Sequence, residues 1–397
     1  MNAETIFPSL QTMAESNQWV YLWPQIALVV LGLGLLVLEM LLPRKRVGTL
    51  VPAVALAGFA LIGVLVCTPL FPTLADSLTV FDGMLLSPLS PGIFLFFIAS
   101  SFLTGYLSMV CLPRQVLPRT EYFAVLSFVT AAILVLIHAN NFLMMFVALE
   151  TVTIGLYVLV GYARGQMTTL EAALKYLLTG AMSSAMLLFG IVLLYGAGAI
   201  KGIADPLNYQ SVLQLFKDAQ LGAGDSLALC GVALTLCAVA FKLGAVPFHI
   251  WVPDVYQGAL TPTTAFLAVS SKAAGFVVLL CMLMFSFDAQ SLKELLIPLL
   301  SLLAALSILF GNLGALSQRN VKRLMGLSGV SHAGYLLLGV VAYLTLGHVS
   351  MLYAIAFYLL AYMLASYAVF GVMSHVATNI DDFQEMQDYR MLLEKCP

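Results

Sequence analysis

The chain has 397 residues, of which 61% are hydrophobic and 9% are charged, and its formal net charge is −2. Soluble domains carry charge on about a quarter of their residues, so this composition excludes an ordinary soluble protein and indicates an all-α polytopic membrane protein. No basic run exceeds Arg44-Lys45-Arg46, so nucleic-acid binding is not expected.

Apolar runs of about twenty residues, long enough to cross a bilayer as a helix, recur along the chain. The first is too long for the apolar core of a cleavable signal peptide, and aromatic residues flank it, so we interpret it as a membrane anchor. We predict about eleven spans, at 21–42, 48–68, 89–112, 121–138, 141–162, 169–196, 226–250, 262–286, 294–316, 322–344 and 349–377. The segment 205–220 mixes polar and apolar residues and is typical of a surface helix.

The distribution of Lys and Arg among the loops predicts the orientation. With the N-terminus outside, the inner loops hold nine basic residues: Arg44, Lys45, Arg46, Arg114, Arg119, Arg164, Arg319, Lys322 and Arg323. The outer loops hold three, Lys201, Lys217 and Lys293, and the tail adds Arg390 and Lys395 on the inside. We therefore expect the N-terminus outside and the C-terminus inside.

Lys242 lies within an apolar stretch, Leu227–Trp251, that is long enough to span the membrane. A charge at membrane depth costs at least ~2.5–3.5 kcal/mol, which makes such a lysine a candidate functional residue. Gly244 and Pro247 follow it, and proline disrupts a helix, so we predict that the seventh helix is interrupted between Lys242 and Pro253. Transporters build ion sites at broken membrane helices. The alternative is a lysine that snorkels to the membrane surface.

Glu150 lies in the middle of an apolar run with no neutralising residue nearby in sequence. It must meet a cation on another helix or stay protonated. Glu171 and Lys175 are four residues apart, with the glutamate first, the favourable order for a pair on one helix face. An ordinary ion pair near a helix end is the alternative for these two.

Lys272, His249 and His332 are the remaining candidates. Lys272 follows Ser270 and Ser271 and precedes small residues that permit close helix approach. Histidine titrates nearest neutral pH and can relay protons, although each histidine alone could equally be a hydrogen-bonded core residue. Taken together with two carboxylates and three lysines at membrane depth, the set favours a polar path across the membrane.

The sequence holds no phosphate-binding loop, so ATP is not expected to act on it directly. Its six cysteines form no C-x-x-C pair, and no Cys or His cluster predicts a metal, haem or iron–sulfur site. We expect no cofactor in this chain, and any redox cofactor would belong to a partner.

Four stretches resemble a known family: ALETVTIGLYVLVGYAR, EAALKYLLTGAMSSAMLLFG, FKLGAVPFHIWVPDVYQGALTPTTAFLAVSSKAAGF and GNLGALSQRNVKRLMGLSGVSHAGYLLLG. They resemble the antiporter-like membrane subunits of respiratory complex I, and subunit N most closely. The resemblance implies a proton-translocating membrane-arm subunit of NADH:quinone oxidoreductase in the bacterial cytoplasmic membrane. NADH, FMN, iron–sulfur clusters and quinone would then lie in partner subunits.

The resemblance also implies site roles. Glu150 and Lys175 match a proton-channel pair, and Lys242 and Lys272 continue a central hydrophilic axis. His249 and His332 match positions on that axis, and Glu171 is a possible member. We therefore predict that Glu150 approaches Lys175 within salt-bridge or single-water distance, with Glu171 as the fallback partner. We also predict a hydrated row of Lys175, Lys242 and Lys272, with His249 as a relay.

The implied fold contains two inverted five-helix repeats. It divides the chain into a three-helix segment at 1–112, a first repeat at 113–286 and an incomplete second repeat at 287–397. The family has about three more helices, and this chain stops at Met391–Pro397, before a second broken helix would begin. The segment Leu324–Gly329 is also richer in glycine than the family pattern.

Two other readings remain open at this point. One is a subunit of a multisubunit cation/proton antiporter, which would share the same buried charges. The other is a non-conducting scaffold in the same complex. The ETVTIGLYVLVGYAR and PDVYQGALTP segments favour the oxidoreductase.

Overall fold

The computed structural model describes residues 18–69, 71, 77–81, 83–216, 223–284, 290–377 and 384–389. Lys217, Arg390, Lys395 and the segment Met391–Pro397, all used in the sequence analysis, lie outside these residues. The described chain is a bundle of helices with one short hairpin, as the all-α prediction requires. The predicted division into segments and repeats stays a prediction.

The elements follow one another along the chain in a simple order. The helices are α1 (Trp23–Leu41), α2 (Arg44–Val66), α3 (Ser90–Arg114), α4 (Thr120–Leu136), α5 (Phe142–Val160), α6 (Met167–Ile200), α7 (Tyr209–Leu215), α8 (Ala223–Leu243), α9 (Trp251–Gly258), α10 (Thr261–Phe266), α11 (Lys272–Leu283), α12 (Gln290–Leu316), α13 (Val321–Leu346) and α14 (Ser350–Val376). A π-helical turn, Leu267–Ser271, joins α10 to α11. Short 3₁₀ helices at Gln18–Leu22 and Met386–Tyr389 flank the bundle.

Within the described residues, ten helical segments are long and apolar enough to cross a membrane. The shorter apolar helix α4, with 17 residues, corresponds to the fourth predicted span, 121–138, and brings the number to eleven. Each predicted span therefore has its helix, with limits within a few residues of those predicted, except that the helix of the seventh span, predicted at 226–250, ends at Leu243. The chain is a multi-pass membrane protein.

The predicted interruption of the seventh span is confirmed. Helix α8 ends at Leu243, and Gly244 has φ +68°, a left-handed conformation that suits glycine. The peptide bond between Val246 and Pro247 is cis, and helical structure resumes at Trp251. Side chains satisfy the freed backbone groups here: Val246 N–H donates to Ser307 Oγ at 3.0 Å. Such satisfaction is what permits irregular backbone inside a membrane protein.

Close packing between helices is found elsewhere along α8 and at α12. Helix α6 packs along α8, and α12 packs along α13. At the first contact the two helices approach so closely that a Cβ on Gly190 would lie 2.9 Å from the Gly231 carbonyl oxygen. Small residues at helix contacts are the usual means of association in membranes, where apolar burial alone gives no preference for protein over lipid.

The sequence did not predict three features of the fold. An antiparallel hairpin pairs Leu78–Val80 with Met84–Leu86 before α3. The short helix α9 forms the second half of the broken span, and the π-helical turn lies directly before Lys272. The predicted surface helix at 205–220 is present as α7, which buries Tyr209, Val212 and Leu215.

Candidate functional site

Lys242 ends up buried at the last turn of α8. It is 8% exposed, and its ammonium donates a hydrogen bond to the Thr153 hydroxyl of α5. Its side chain also lies against α11, where a Cβ on Gly275 would be 3.9 Å from Lys242 Cγ. In the described part of the chain Lys242 makes no ion pair. The side chain therefore crosses to a neighbouring helix and does not snorkel to the surface.

Glu150 lies one helical turn before Thr153 on α5, so both face the same side. The Glu150 carboxylate accepts a hydrogen bond from the Ser184 hydroxyl of α6. Lys242 bonds Thr153, which lies one turn from Glu150, so the ammonium and the carboxylate lie on the same side of α5. Glu150 and Lys242 thus belong to one polar group around the end of α8, which we call the Lys242 group: Glu150, Thr153, Ser184 and Lys242.

The predicted salt bridge between Glu150 and Lys175 is wrong. Lys175 Nζ lies 2.6 Å from Glu171 Oε1 and 2.7 Å from Asp254 Oδ2, and no ion pair joins it to Glu150. Glu150 meets α6 at Ser184, nine residues beyond Lys175. Nine residues of α-helix span about 13 Å along the axis, which separates the two positions. The fallback partner, Glu171, does contact Lys175.

Asp254 on α9 joins three helices through its two carboxylate oxygens. Oδ2 accepts from Lys175 of α6, and Oδ1 accepts from Arg323 Nη1 of α13 at 2.6 Å. The same Nη1 donates to Gln257 Oε1 at 2.9 Å. We call Glu171, Lys175, Asp254, Gln257 and Arg323 the Asp254 cluster. Its ionic side chains are 30–64% exposed, so solvent can reach them in the isolated chain.

Lys272 is the second fully enclosed lysine of the predicted set. It is 5% exposed, and Nζ donates to the Gly329 carbonyl oxygen of α13 at 2.6 Å. The same ammonium lies 5.9 Å from the centre of the Tyr362 ring on α14, within the range of a cation–π contact. Its partners are therefore all uncharged.

His332 joins this second group from α13. Its Nδ1 lies 2.6 Å from the Tyr358 hydroxyl, and its ring centre is 4.9 Å from that of Tyr362. We call Lys272, Gly329, His332, Tyr358 and Tyr362 the Lys272 group. Direct contacts thus place Lys175 in an exposed ionic cluster and the other two lysines in two buried groups, and the hydrated row of Lys175, Lys242 and Lys272 stays a prediction.

His249 and His138 differ from His332 in their contacts. His249 lies half-buried in the break between α8 and α9, and its Nδ1 is buried without a hydrogen-bond partner in the described residues. His138, which follows α4, uses both ring nitrogens: Nδ1 donates to the Leu134 carbonyl oxygen at 3.0 Å, and Nε2 accepts from Ser90 Oγ at 2.9 Å. Burial lowers the pKa of His138 to about 4, so this ring is a neutral packing residue at pH 7.

Several polar residues of these groups were missed from sequence. Thr153 and Ser184 look like ordinary small polar residues, and Asp254 was noticed only as part of the PDVY string. Lys322 was counted as an inner-loop charge, but it is 1% exposed and donates to the Ala259 carbonyl oxygen at 3.0 Å. The signal for Thr153 was its spacing of three from Glu150, which places both on one helix face.

The glycines of the Leu324–Gly329 segment have specific packing roles. A Cβ on Gly326 would lie 3.3 Å from the Tyr256 ring of α9, and a Cβ on Gly329 would lie 2.7 Å from Lys272 Nζ. The absence of side chains at these positions lets α13 approach both α9 and the Lys272 ammonium. Nowhere in the described ranges do three or more His, Cys, Asp or Glu side chains converge to form a metal site.

Comparison with known proteins identifies the same architecture. A family model described as "NADH:quinone oxidoreductase/Mrp antiporter, TM" matches residues 139–397. NADH-quinone oxidoreductase subunit N 1 of Opitutus terrae is 46% identical over 403 residues, which cover 100% of this chain and 77% of that protein. NADH-quinone oxidoreductase subunit N 2 of Roseiflexus castenholzii is 35% identical over 370 residues, which cover 91% of this chain and 71% of that protein.

Solved structures agree with these sequence relatives. A chain of respiratory complex I from Thermus thermophilus with bound aureothin is 31% identical, with a TM-score of 0.67 over 88% of this chain and 70% of that chain. A chain of the archaeal membrane-bound sulfane sulfur reductase has a TM-score of 0.77 at 21% identity, covering 93% of this chain and 72% of that one, and shows the fold alone. From the family match and the full-length relatives, the chain belongs to the NADH-quinone oxidoreductase subunit N family.

Proposed function

We propose that this chain conducts protons across the bacterial cytoplasmic membrane as a membrane-arm subunit of an NADH-quinone oxidoreductase. The observation that carries the proposal is the presence of two buried lysines, Lys242 and Lys272, whose ammonium groups meet uncharged oxygens from neighbouring helices. An ion pair would hold a lysine permanently charged. A lysine with neutral partners can release its proton without leaving a bare carboxylate behind.

The proposed path runs through the two buried groups. Glu150 and Lys242 would exchange a proton beside the break, Lys272 and His332 would take it further, and His249 would relay it within the break. Its half-buried ring lies within the break, and histidine titrates nearest neutral pH. Water molecules are needed between these groups, because no hydrogen bond within the described part of the chain links one group to the next.

Lys175 and Glu171 have a different part in this proposal. They lie in the exposed Asp254 cluster, which gives solvent access to the region of the break. We propose that Lys175 carries a permanent positive charge, which influences protonation of the groups at the end of the proton path. Glu171 would support this role by its ion pair with Lys175. The charge distribution among the loops supports an orientation with the N-terminus outside and this cluster on the inside.

The driving force would come from neighbouring subunits, in which NADH, FMN, iron–sulfur clusters and quinone would reside. Moving one proton against 100 mV costs about 2.3 kcal/mol. A tenfold change in the proton affinity of one group corresponds to about 1.4 kcal/mol. A change of roughly a hundredfold in the proton affinity of a buried lysine is therefore sufficient, and movement of a nearby carboxylate such as Glu150 can supply it.

The test uses membrane vesicles that contain the assembled complex. NADH-driven acidification should fall strongly in Lys272→Met, a variant that keeps the apolar bulk and removes the titratable group. NADH oxidation by an artificial acceptor should persist, since no redox group is expected in this chain. Full-rate acidification in an assembled Lys272→Met complex would favour the scaffold reading.

The cation/proton antiporter reading is tested by co-purification. The names of the two relatives favour the oxidoreductase, whereas the matching family model covers both classes. Recovery of the chain with NADH dehydrogenase subunits supports the proposal. Recovery with small antiporter subunits, together with sodium-driven proton exchange that needs no NADH, would contradict it.

A further inference from the structure

A cluster of buried hydroxyl groups lies outside the two lysine groups described above. Ser100 Oγ of α3 is 2.5 Å from Ser270 Oγ of the π-helical turn and 2.7 Å from the Tyr367 hydroxyl of α14. The Tyr367 hydroxyl is also 2.6 Å from Thr104 Oγ1 and donates to the Ser100 carbonyl oxygen at 2.8 Å. The three Ser and Thr residues are 0% exposed, and Tyr367 is 6% exposed. We call these four residues the hydroxyl junction.

The junction connects the π-helical turn to α3 through Ser100 and, by way of Ser100, to Tyr367 of α14. Ser270 lies inside the turn, two residues before Lys272. Loss of the Ser270 hydroxyl would break the bond between the turn and Ser100, and no bulk water is present in the membrane interior to replace it. The junction therefore fixes the backbone of the turn relative to α3 and α14.

The geometry of a π-helical turn makes this connection important for Lys272. Such turns are rare and are often found at functional sites, because they insert one extra residue into an α-helix. Each residue of an α-helix turns the chain by about 100°, so loss of the extra residue would rotate the side chains on one side of the turn by about that angle relative to those on the other. A rotated Lys272 could not point at the Gly329 carbonyl oxygen.

We infer that Ser100, Ser270 and Tyr367 are positioning residues that hold the π-helical turn and thereby aim the Lys272 ammonium at Gly329 and Tyr362. This inference rests on the proposed function only in giving Lys272 a role in proton transfer. The positioning itself is a structural claim and has its own structural readout.

The first experiment determines the structure of the assembled complex with Ser270→Ala by cryo-electron microscopy. We expect the segment Leu267–Ser271 to relax toward α-helical geometry and the Lys272 ammonium to leave the Gly329 carbonyl oxygen. A retained π-helical turn with Lys272 still bonded to Gly329 would overturn the inference. Tyr367→Phe, which removes one hydroxyl with little change in volume, gives the same test should Ser270→Ala fail to assemble.

The second experiment measures NADH-driven proton pumping against pH in vesicles. Tyr367→Phe and Ser270→Ala should displace the pH profile by about half a unit or more, a change of about threefold in proton affinity. Ser270→Thr keeps the hydroxyl and should restore the profile of the unmodified complex. If the Ser270→Thr complex assembles but its pH profile matches that of Ser270→Ala, the assignment is wrong.

Ser101→Ala is the matched control. Ser101 is the next residue on α3, is equally buried, and its hydroxyl bonds Thr130 of α4 at 2.7 Å and the Phe97 carbonyl oxygen of its own helix. If Ser101→Ala shifts the pH profile as much as the junction variants do, the effect is general loosening and the inference is wrong. If Lys272→Met pumps at full rate, the proposed function fails, whatever the junction variants show. If Lys272→Met stops pumping and the junction variants match Ser101→Ala, only the present inference fails.

Discussion

The Asp254 cluster and the two buried lysine groups use the same residue type in opposite ways. In the cluster, Lys175 has two carboxylate partners, Glu171 and Asp254, and 44% of its side chain is exposed. Lys242 and Lys272 are almost fully enclosed and donate to a hydroxyl and a backbone carbonyl oxygen. The charge of the partner groups therefore separates Lys175 from Lys242 and Lys272, although all three were predicted from their position in apolar runs.

The largest expected effect comes from removing a buried lysine. Lys242→Met keeps the apolar bulk and eliminates a titratable group, so proton pumping and coupled turnover in vesicles should fall together. Lys201→Met is the control, because Lys201 caps the end of α6 and donates to the Leu215 carbonyl oxygen, away from both buried groups. An equal loss of proton pumping in Lys242→Met and Lys201→Met would contradict a specific role for the buried lysine.

Gly329→Ala tests the Lys272 group by changing the partner of the lysine and not the lysine itself. The new Cβ would lie 2.7 Å from Lys272 Nζ and 3.2 Å from the Tyr362 hydroxyl, so the flexible ammonium must move. We expect the complex to assemble and pumping to fall severalfold. Gly314→Ala is a matched helical control whose Cβ meets Leu327 at an ordinary 3.4 Å. Unchanged pumping in Gly329→Ala would show that contact with the Gly329 carbonyl oxygen is unnecessary.

Asp254→Asn tests whether the Asp254 cluster stabilises the fold. It removes the carboxylate that Lys175 and Arg323 share, so α9 should be held less firmly between α6 and α13. Because the Asp254 side chain is partly exposed, we expect the free energy of unfolding to fall by only about 1–2 kcal/mol. Glu171→Gln removes only the more exposed partner and should cost less than about 0.5 kcal/mol. A thermal-shift assay of the purified complex that ranks the two variants the other way would contradict this account.

The smallest effect is expected from Thr153→Val. Valine keeps the shape of the side chain and removes the oxygen that accepts from Lys242, so pumping should fall modestly while assembly is retained. Thr151→Val is the control on the same helix, because Thr151 makes the same kind of backbone hydrogen bond from an exposed position. Pumping that is equally affected by both variants would exclude a specific role for Thr153.

Hydropathy and the position of Pro247 were sufficient to predict the spans and the break, because both depend on local sequence. The membrane requires about twenty apolar residues per helix, and a proline cannot continue an α-helix without loss of a hydrogen bond. Lys242 and Lys272 were recognisable for a related reason: a charge within an apolar run stands out without any knowledge of its neighbours.

The pairing of charges between helices was not predictable in the same way. Whether Glu150 meets Lys175 or Ser184 depends on the axial offset between α5 and α6, which neither helix encodes alone. Asp254 was overlooked because its two cationic partners are 79 and 69 residues away in sequence. The π-helical turn before Lys272 likewise depends on hydroxyl groups from α3 and α14.

The most direct test of the distinction between the two kinds of lysine is arginine substitution. Arginine keeps the positive charge but cannot release its proton in a protein. The measurement is the number of protons pumped per NADH oxidised by the assembled complex with Lys175→Arg or Lys242→Arg. We predict near-normal pumping for Lys175→Arg, since a permanent charge is all that this position requires, and loss of pumping for Lys242→Arg. Full pumping by an assembled Lys242→Arg complex, or its loss in Lys175→Arg, would contradict the account.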